Sequence, residues 1–276
     1  MYRFRKPIIC ILLLLALIPM IANTTLWFFE SDFVFKPENY SVGHWHPTGA
    51  QPIEVWITSK DGTRLHGWYL PHEHPQAIIL YMHGNTGNVT YRYEELVKLH
   101  DKLLASIMTF DYRGYGKSMG HPEEKGVIQD AEAARDWLAK KEHISPQKIL
   151  LLGRSLGGGV AVDLAARQGT KGLILISTFL SLPDTVSYHY PFLLPKLIMH
   201  NQFDSINKIT SYQGPLLMVH GDSDTLIPIQ HGIKLFSAAK GPKWFVTIKR
   251  GEHFDDIPDA VYQEIDNFIN RISHTN

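Results

Sequence analysis

The chain has 276 residues, 44% of them hydrophobic, with 27 basic and 27 acidic side chains and a formal net charge of zero at neutral pH. That length suits one large domain or two small ones, and the apolar content is enough for a full core. The balanced charge, with no basic helix and no interleaved basic and aromatic stripe, excludes nucleic acid as an expected partner.

Residues 7–29 carry no charged side chain; Arg3, Arg5 and Lys6 precede them, and Glu30 and Asp32 follow. About 20 apolar residues span a bilayer as a helix. Residues 1–30 are therefore expected to form an uncleaved signal anchor, a single-pass membrane helix. The basic flank places the N-terminus in the cytoplasm and the rest of the chain on the extracytoplasmic side. The rival is a signal peptide cleaved after Ala22, which would give a secreted protein; Met20 stands against it, where a small residue is preferred. The only cysteine, Cys10, permits no internal disulfide and no multi-cysteine zinc site. The apolar run follows Cys10 rather than preceding it, which argues against a lipoprotein signal.

Residues 31–50 hold Pro37, Pro47, Gly43 and Gly49 and read as a connector. The main domain is expected over residues 51–276. His44 with His46, and His72 with His74, have H-x-H spacing, but no carboxylate motif completes a metal site around them. Residues 53–58 alternate, residues 60–63 make a turn, and residues 64–70 return as the second strand of a hairpin. From there apolar strands near residues 78–82, 106–110, 149–152, 173–176, 216–220 and 244–248 alternate with helical patterns. About eight strands result, as in a doubly wound, mostly parallel sheet with helices on both faces. The clearest helix covers residues 123–141, where Val127, Ala131, Ala134 and Leu138 recur at steps of four, three and four.

Several strand ends carry polar motifs. The strand at 149–152 runs into Gly153-Arg154-Ser155-Leu156-Gly157, and a helix-compatible stretch follows. A G-x-S-x-G pentapeptide between strand and helix describes a sharp, strained turn that exposes a serine hydroxyl above the sheet. Such a hydroxyl needs an imidazole to take its proton and a carboxylate to orient the imidazole. The strand at 216–220 leads into Gly221-Asp222-Ser223-Asp224, and the strand at 244–248 leads into Arg250-Gly251-Glu252-His253. Acid and base thus follow the serine in the order such enzymes use, with Asp222 and Asp224 both available as the acid. The strand at 78–82 ends in His83-Gly84, a loop suited to one backbone donor of an oxyanion hole; the N–H of Leu156 is the other. Arg154 is a candidate for a substrate anion or for a salt bridge to the scaffold.

Residues 178–210 break the strand–helix alternation and are rich in aromatics and prolines. The segment is either a helix packed on the sheet or a short lid over the site. As a lid it is apolar and suits an acyl chain or an aromatic group, with Phe179, Tyr188, Phe192 and Leu193 as candidate pocket residues.

HGNTGN at 83–88, DYRGYGKS at 111–118, GRSLGG at 153–158, HGDSDTLIP at 220–228 and GEHFD at 251–255 together resemble the α/β-hydrolase superfamily. More narrowly they are similar to its small, membrane-anchored, bud-emergence-type serine hydrolases, relatives of serine aminopeptidase-like and protein-depalmitoylating enzymes. The resemblance covers about residues 50–272. It implies the α/β-hydrolase fold with a short lid, and a catalytic triad of Ser155, Asp224 and His253, with Asp224 preferred over Asp222 by the family spacing. It also implies oxyanion donors on Asn85 and Leu156, and neither metal nor organic cofactor. The expected reaction is hydrolysis of an acyl ester or thioester through an acyl-enzyme. Amide hydrolysis in the aminopeptidase manner, acyl transfer to an alcohol and a non-catalytic scaffold are the alternatives. The expected partners are a small acyl substrate or acylated molecule, and a membrane through the anchor.

Overall fold

The computed structural model describes the backbone of residues 5–273 and the side chains of residues 17–273. Eight strands form one sheet: β1 (Ile53–Thr58), β2 (Arg64–Leu70), β3 (Ala77–Met82), β4 (Ala105–Phe110), β5 (Leu150–Arg154), β6 (Gly172–Ile176), β7 (Leu216–Gly221) and β8 (Lys243–Ile248). Their spatial order is β8-β7-β6-β5-β3-β4-β2-β1. Only β2 runs antiparallel, to β1 and to β4; the other neighbours are parallel. The expected hairpin is present in register Ile53↔Tyr69 to Thr58↔Arg64. Its turn closes through Ser59 N–H to the Thr63 carbonyl at 2.8 Å.

The helices are α1 (Arg5–Val34), α2 (Tyr93–Leu103), α3 (Glu124–Lys141), α4 (Leu156–Gln168), α5 (Leu182–His189), α6 (Pro195–Ile198), α7 (Ser205–Lys208), α8 (Ile229–Ala238) and α9 (Asp259–Ser273). Strand side chains alternate between faces, so the continuous apolar runs fill two cores. Leu151, Leu173 and Met218 pack with α3, α4 and α8; Leu150, Leu152 and Leu217 pack with α2 and α9. Val127, Ala131, Ala134 and Leu138 form the buried stripe of α3 that their spacing predicts. Because the central strands are parallel, the loops after β3, β5, β7 and β8 gather at one edge of the sheet.

Helix α1 runs on past the apolar stretch to Val34, with a local break at Phe29 (φ −114°, ψ 15°). Leu26, Glu30 and Val34 are four residues apart, share one face and are buried against the domain. The Glu30 carboxylate accepts from the N–H groups of His200 (2.7 Å) and Asn201 (2.6 Å), from Asn201 Nδ2 (2.8 Å) and from His200 Nδ1 (3.0 Å). Asn23 Oδ1 accepts from Leu194 N–H at 2.9 Å. Of the uncharged stretch 7–29, the side chains of residues 7–16 lie outside the described residues. Among the described residues no helix is long and apolar enough to cross a membrane.

Residues 178–210 carry the short helices α5, α6 and α7 between β6 and β7. Leu182 and Val186 of α5 pack onto the core, whereas Tyr188, Tyr190, Phe192, Leu194 and Leu197 are exposed. The segment is thus a packed layer on its inner side with an apolar outer surface.

Candidate active site

Ser155 occupies the turn between β5 and α4 with φ 53° and ψ −118°. A non-glycine residue at positive φ is strained, and surrounding contacts must hold it there. Three do: Ser155 N–H donates to the Ile176 carbonyl (2.9 Å), Gly158 N–H donates to the Ser155 carbonyl (2.9 Å), and so does Thr178 Oγ1 (2.9 Å). The flanking glycines are needed for space. A Cβ on Gly157 would sit 2.0 Å from the Met82 carbonyl oxygen, and one on Gly153 would sit 2.4 Å from the Gly157 carbonyl oxygen.

The loops after β7 and β8 bring Asp224 and His253 to this serine. Ser155 Oγ lies 2.9 Å from His253 Nε2, and His253 Nδ1 lies 2.8 Å from Asp224 Oδ2. The other carboxylate oxygen, Oδ1, accepts from the N–H groups of Leu226 (3.0 Å) and Ile227 (2.7 Å). Burial pushes the Asp224 carboxyl up. Hydrogen bonds from His220, His253 and the Ile227 N–H, with the charge of the His253 imidazole, outweigh it and hold the group well below the usual carboxylate range. His220 Nε2 donates to the Ile227 carbonyl at 2.8 Å and stands 3.5 Å from Asp224 Oδ2, so it braces the acid loop from below.

Asp222 has a different place. It is exposed, and its Oδ1 accepts from Arg250 N–H at 2.6 Å, tying the β7 loop to the β8 loop. Arg154 does the same for the histidine loop: its guanidinium donates to the carbonyls of His253 (3.1 Å) and Asp255 (2.7 Å) and meets Glu95 at 3.4 Å. Of the two roles open to Arg154 in the sequence, the structure gives it scaffold partners.

The loop after β3 lies across from Ser155. A Cβ on Gly84 would be 3.5 Å from the Ser155 Cβ. His83 Nδ1 donates to the Gly84 carbonyl at 2.7 Å. In a trans peptide the N–H points opposite to the carbonyl, so this bond sets the direction of the Asn85 N–H. Burial pushes the His83 imidazole down to about 3, which keeps it neutral. Asn85 is held at its carbonyl by Lys36 N–H (2.9 Å) and Tyr115 OH (2.7 Å), and its side chain donates to the Val34 carbonyl (2.8 Å). Leu156 follows the serine as the first residue of α4, and is buried.

Two cavities meet at Ser155. The polar one, ≈ 330 Å³, runs along the 84–87 loop past His253 and carries Arg92, Arg154, Glu38, Glu94, Glu95 and Asp256. The apolar one, ≈ 160 Å³, includes Leu26, Phe33 and Val34 of α1 with Phe179, Leu182, Val186 and Met199. Of the pocket residues expected from sequence, Phe179 lines this apolar cavity. Tyr188 and Phe192 are exposed and Leu193 packs on the core; none of the three lines it. The α1 contribution has no local sequence signal: nothing in residues 26–34 points to a partner in the 178–210 segment. Among the described residues no group of His, Cys, Asp and Glu is arranged to hold a metal ion.

The sequence matches the family model described as serine aminopeptidase, S33, over residues 73–203. It is 33% identical over 222 residues to the α/β-hydrolase domain-containing protein WAV2 of Arabidopsis thaliana, covering 73% of this chain and 72% of that one. The chain belongs to the α/β-hydrolase superfamily. This hydrolase is also 32% identical over 237 residues to the lysophosphatidylserine lipase ABHD12 of Danio rerio, covering 77% of this chain and 59% of that protein. Among solved structures, the esterase Pf2001 of Pyrococcus furiosus superposes with a TM-score of 0.68 at 21% identity, over 86% of this chain and 98% of the esterase. At that identity the match speaks for the α/β-hydrolase fold.

Proposed function

We propose that this hydrolase cleaves esters or thioesters of apolar acyl groups, with Ser155 as nucleophile. The observation that carries the reading is the hydrogen-bonded chain Ser155–His253–Asp224 on a strained turn at positive φ. Ser155 Oγ attacks the acyl carbonyl carbon while His253 Nε2 takes its proton. The backbone N–H groups of Asn85 and Leu156 donate to the oxygen that becomes negative. Asp224 holds the imidazole with Nδ1 protonated and stabilises the imidazolium. His253 then gives the proton to the departing oxygen or sulfur, leaving Ser155 acylated. A water attacks the acyl-enzyme with His253 again as base, releasing the acid and restoring the serine.

The apolar cavity suits the acyl group, and the polar cavity suits the alcohol or thiol that leaves. The lipase name of the ABHD12 relative fits an acyl ester. The amide-cleaving alternative draws on the aminopeptidase family description and on the acidic side chains of the polar cavity, which suit a cationic leaving group. A membrane anchor within residues 1–30, with the catalytic domain outside the cytoplasm, is part of this proposal; the lack of charge from residue 7 to 29 and the basic flank support it. The test is Ser155→Ala assayed on acyl esters, thioesters and peptide amides. Loss of turnover on the order of 10⁶ and loss of fluorophosphonate labelling are expected. Retained labelling in the folded variant rejects Ser155 as nucleophile.

A further inference from the structure

The apolar cavity beside Ser155 is closed on one side by a helix that comes from outside the sheet domain. Leu26, Phe33 and Val34 of α1 face Leu182 and Val186 of α5 across a space of ≈ 160 Å³ that reaches Ser155 and Leu156. Two hydrogen-bonded ties hold α1 on the domain. Glu30, four residues after Leu26 and just past the break at Phe29, holds α1 to His200 and Asn201 through four hydrogen bonds. The Val34 carbonyl, four residues further on, receives the side-chain amide of Asn85, which lines the same cavity as Ser155. A buried carboxylate with four donors is an expensive device for merely tethering a leader, since the two buried Asn201 donors are left unsatisfied without it. It makes sense where the helix must be held at a fixed depth.

We propose that α1 is the acyl-selectivity element of this hydrolase, with Leu26 as the residue that sets how long an acyl chain the cavity accepts. This deepens the ester-hydrolase reading and rests on it. Leu26 is 8% exposed and lies at the N-terminal limit of the α1 wall, whereas Phe33 and Val34 lie at the other end with Asn85. On this proposal, acyl carbons entering from Ser155 meet Phe33 and Val34, on the Asn85 side, first and Leu26 last. Each methylene buried contributes about fourfold to kcat/KM at most, until the chain reaches that end.

The experiment uses the full-length protein in detergent with p-nitrophenyl esters from two to twelve carbons. The readout is the kcat/KM profile against chain length, normalised to the two-carbon ester of the same variant. Leu26→Trp is expected to shift the optimum to shorter chains and to lower the eight-to-two-carbon ratio at least tenfold. Leu26→Ala is expected to shift it to longer chains. Phe28→Trp, on the exposed side of α1 (73% exposed), is expected to leave the profile in place. Thermal unfolding of each variant identifies any that fail to fold; if Leu26→Trp does, Leu26→Ala decides. Profiles that stay put in folded Leu26 variants overturn the role of α1. Wild-type protein that cleaves none of the esters and takes no fluorophosphonate label sinks the ester-hydrolase reading instead.

Discussion

Replacing Asp224 by asparagine separates the catalytic reading from any merely structural one. Oδ1 of Asp224 faces two fixed donors, the N–H groups of Leu226 and Ile227. An asparagine must keep its oxygen there, because its NH₂ would otherwise point at both. Its nitrogen is then forced into the Oδ2 position, 2.8 Å from His253 Nδ1. Two donors cannot share that contact, so the imidazole presents a bare Nδ1 and carries its proton on Nε2. That proton faces Ser155 Oγ, and the base is lost. A wrong tautomer of this kind lowers kcat by about 10⁴, equivalent to about 5.5 kcal/mol of barrier. The assay is kcat on a short acyl ester with active-site titration, beside Asp222→Asn as control. Asparagine at 222 keeps an acceptor for Arg250 N–H, so a change under tenfold is expected there. Folded Asp224→Asn with turnover within tenfold of wild type, or Asp222→Asn as the more damaging change, refutes the assignment. The same variant carries a pH signature. The folded pKa of Asp224 lies well below the ordinary value of 3.8, so its ionised form stabilises the fold fully above that value, and the gain declines as pH falls below it toward the folded pKa. The stability gap between wild type and Asp224→Asn in urea should therefore narrow from pH 5 toward pH 3. A gap that widens contradicts the depressed carboxyl.

Further perturbations test the frame around the triad. Gly157→Ala places a methyl 2.0 Å from the Met82 carbonyl, so the turn must shift; turnover should fall at least a hundredfold, and an active, folded Gly157→Ala variant would show that the turn yields without harm. Glu30→Ala leaves the backbone N–H groups of His200 and Asn201 without their acceptor. Each costs about 1–3 kcal/mol where water stays out, so denaturant midpoints should drop clearly; an unchanged midpoint means that water replaces the carboxylate. If residues 7–29 anchor the protein, it stays with membranes through high-salt and alkaline washes, and release by either wash argues against a spanning helix.

The fold was legible in the sequence because its signals are local. Continuous apolar runs such as 149–152 and 173–176 have one low-energy outcome when both faces of a sheet are covered, and the four-three-four spacing of 127–138 makes one helical stripe. The serine turn was legible for the same reason: glycine at 153 and 157 is demanded by backbone atoms within a few residues and by the adjacent strand. Strand ends carrying Asp224 and His253 were placed correctly along the chain, but spacing without the family resemblance left Asp222 equally available. Which of the two carboxylates turns toward the imidazole depends on the loop path after β7, where Asp222 is taken by Arg250 N–H and Asp224 by Leu226 and Ile227. The apolar cavity was the least legible part. Tyr188 and Phe192 have the chemistry of pocket residues, yet they are exposed, while Leu26, Phe33 and Val34 come from a helix about 150 residues earlier in the chain. Hydrophobicity says that a side chain gains by leaving water; it does not say which surface it leaves water against. That choice is made when Glu30 meets the backbone of His200 and Asn201, a match between distant donors and acceptors that no local pattern encodes.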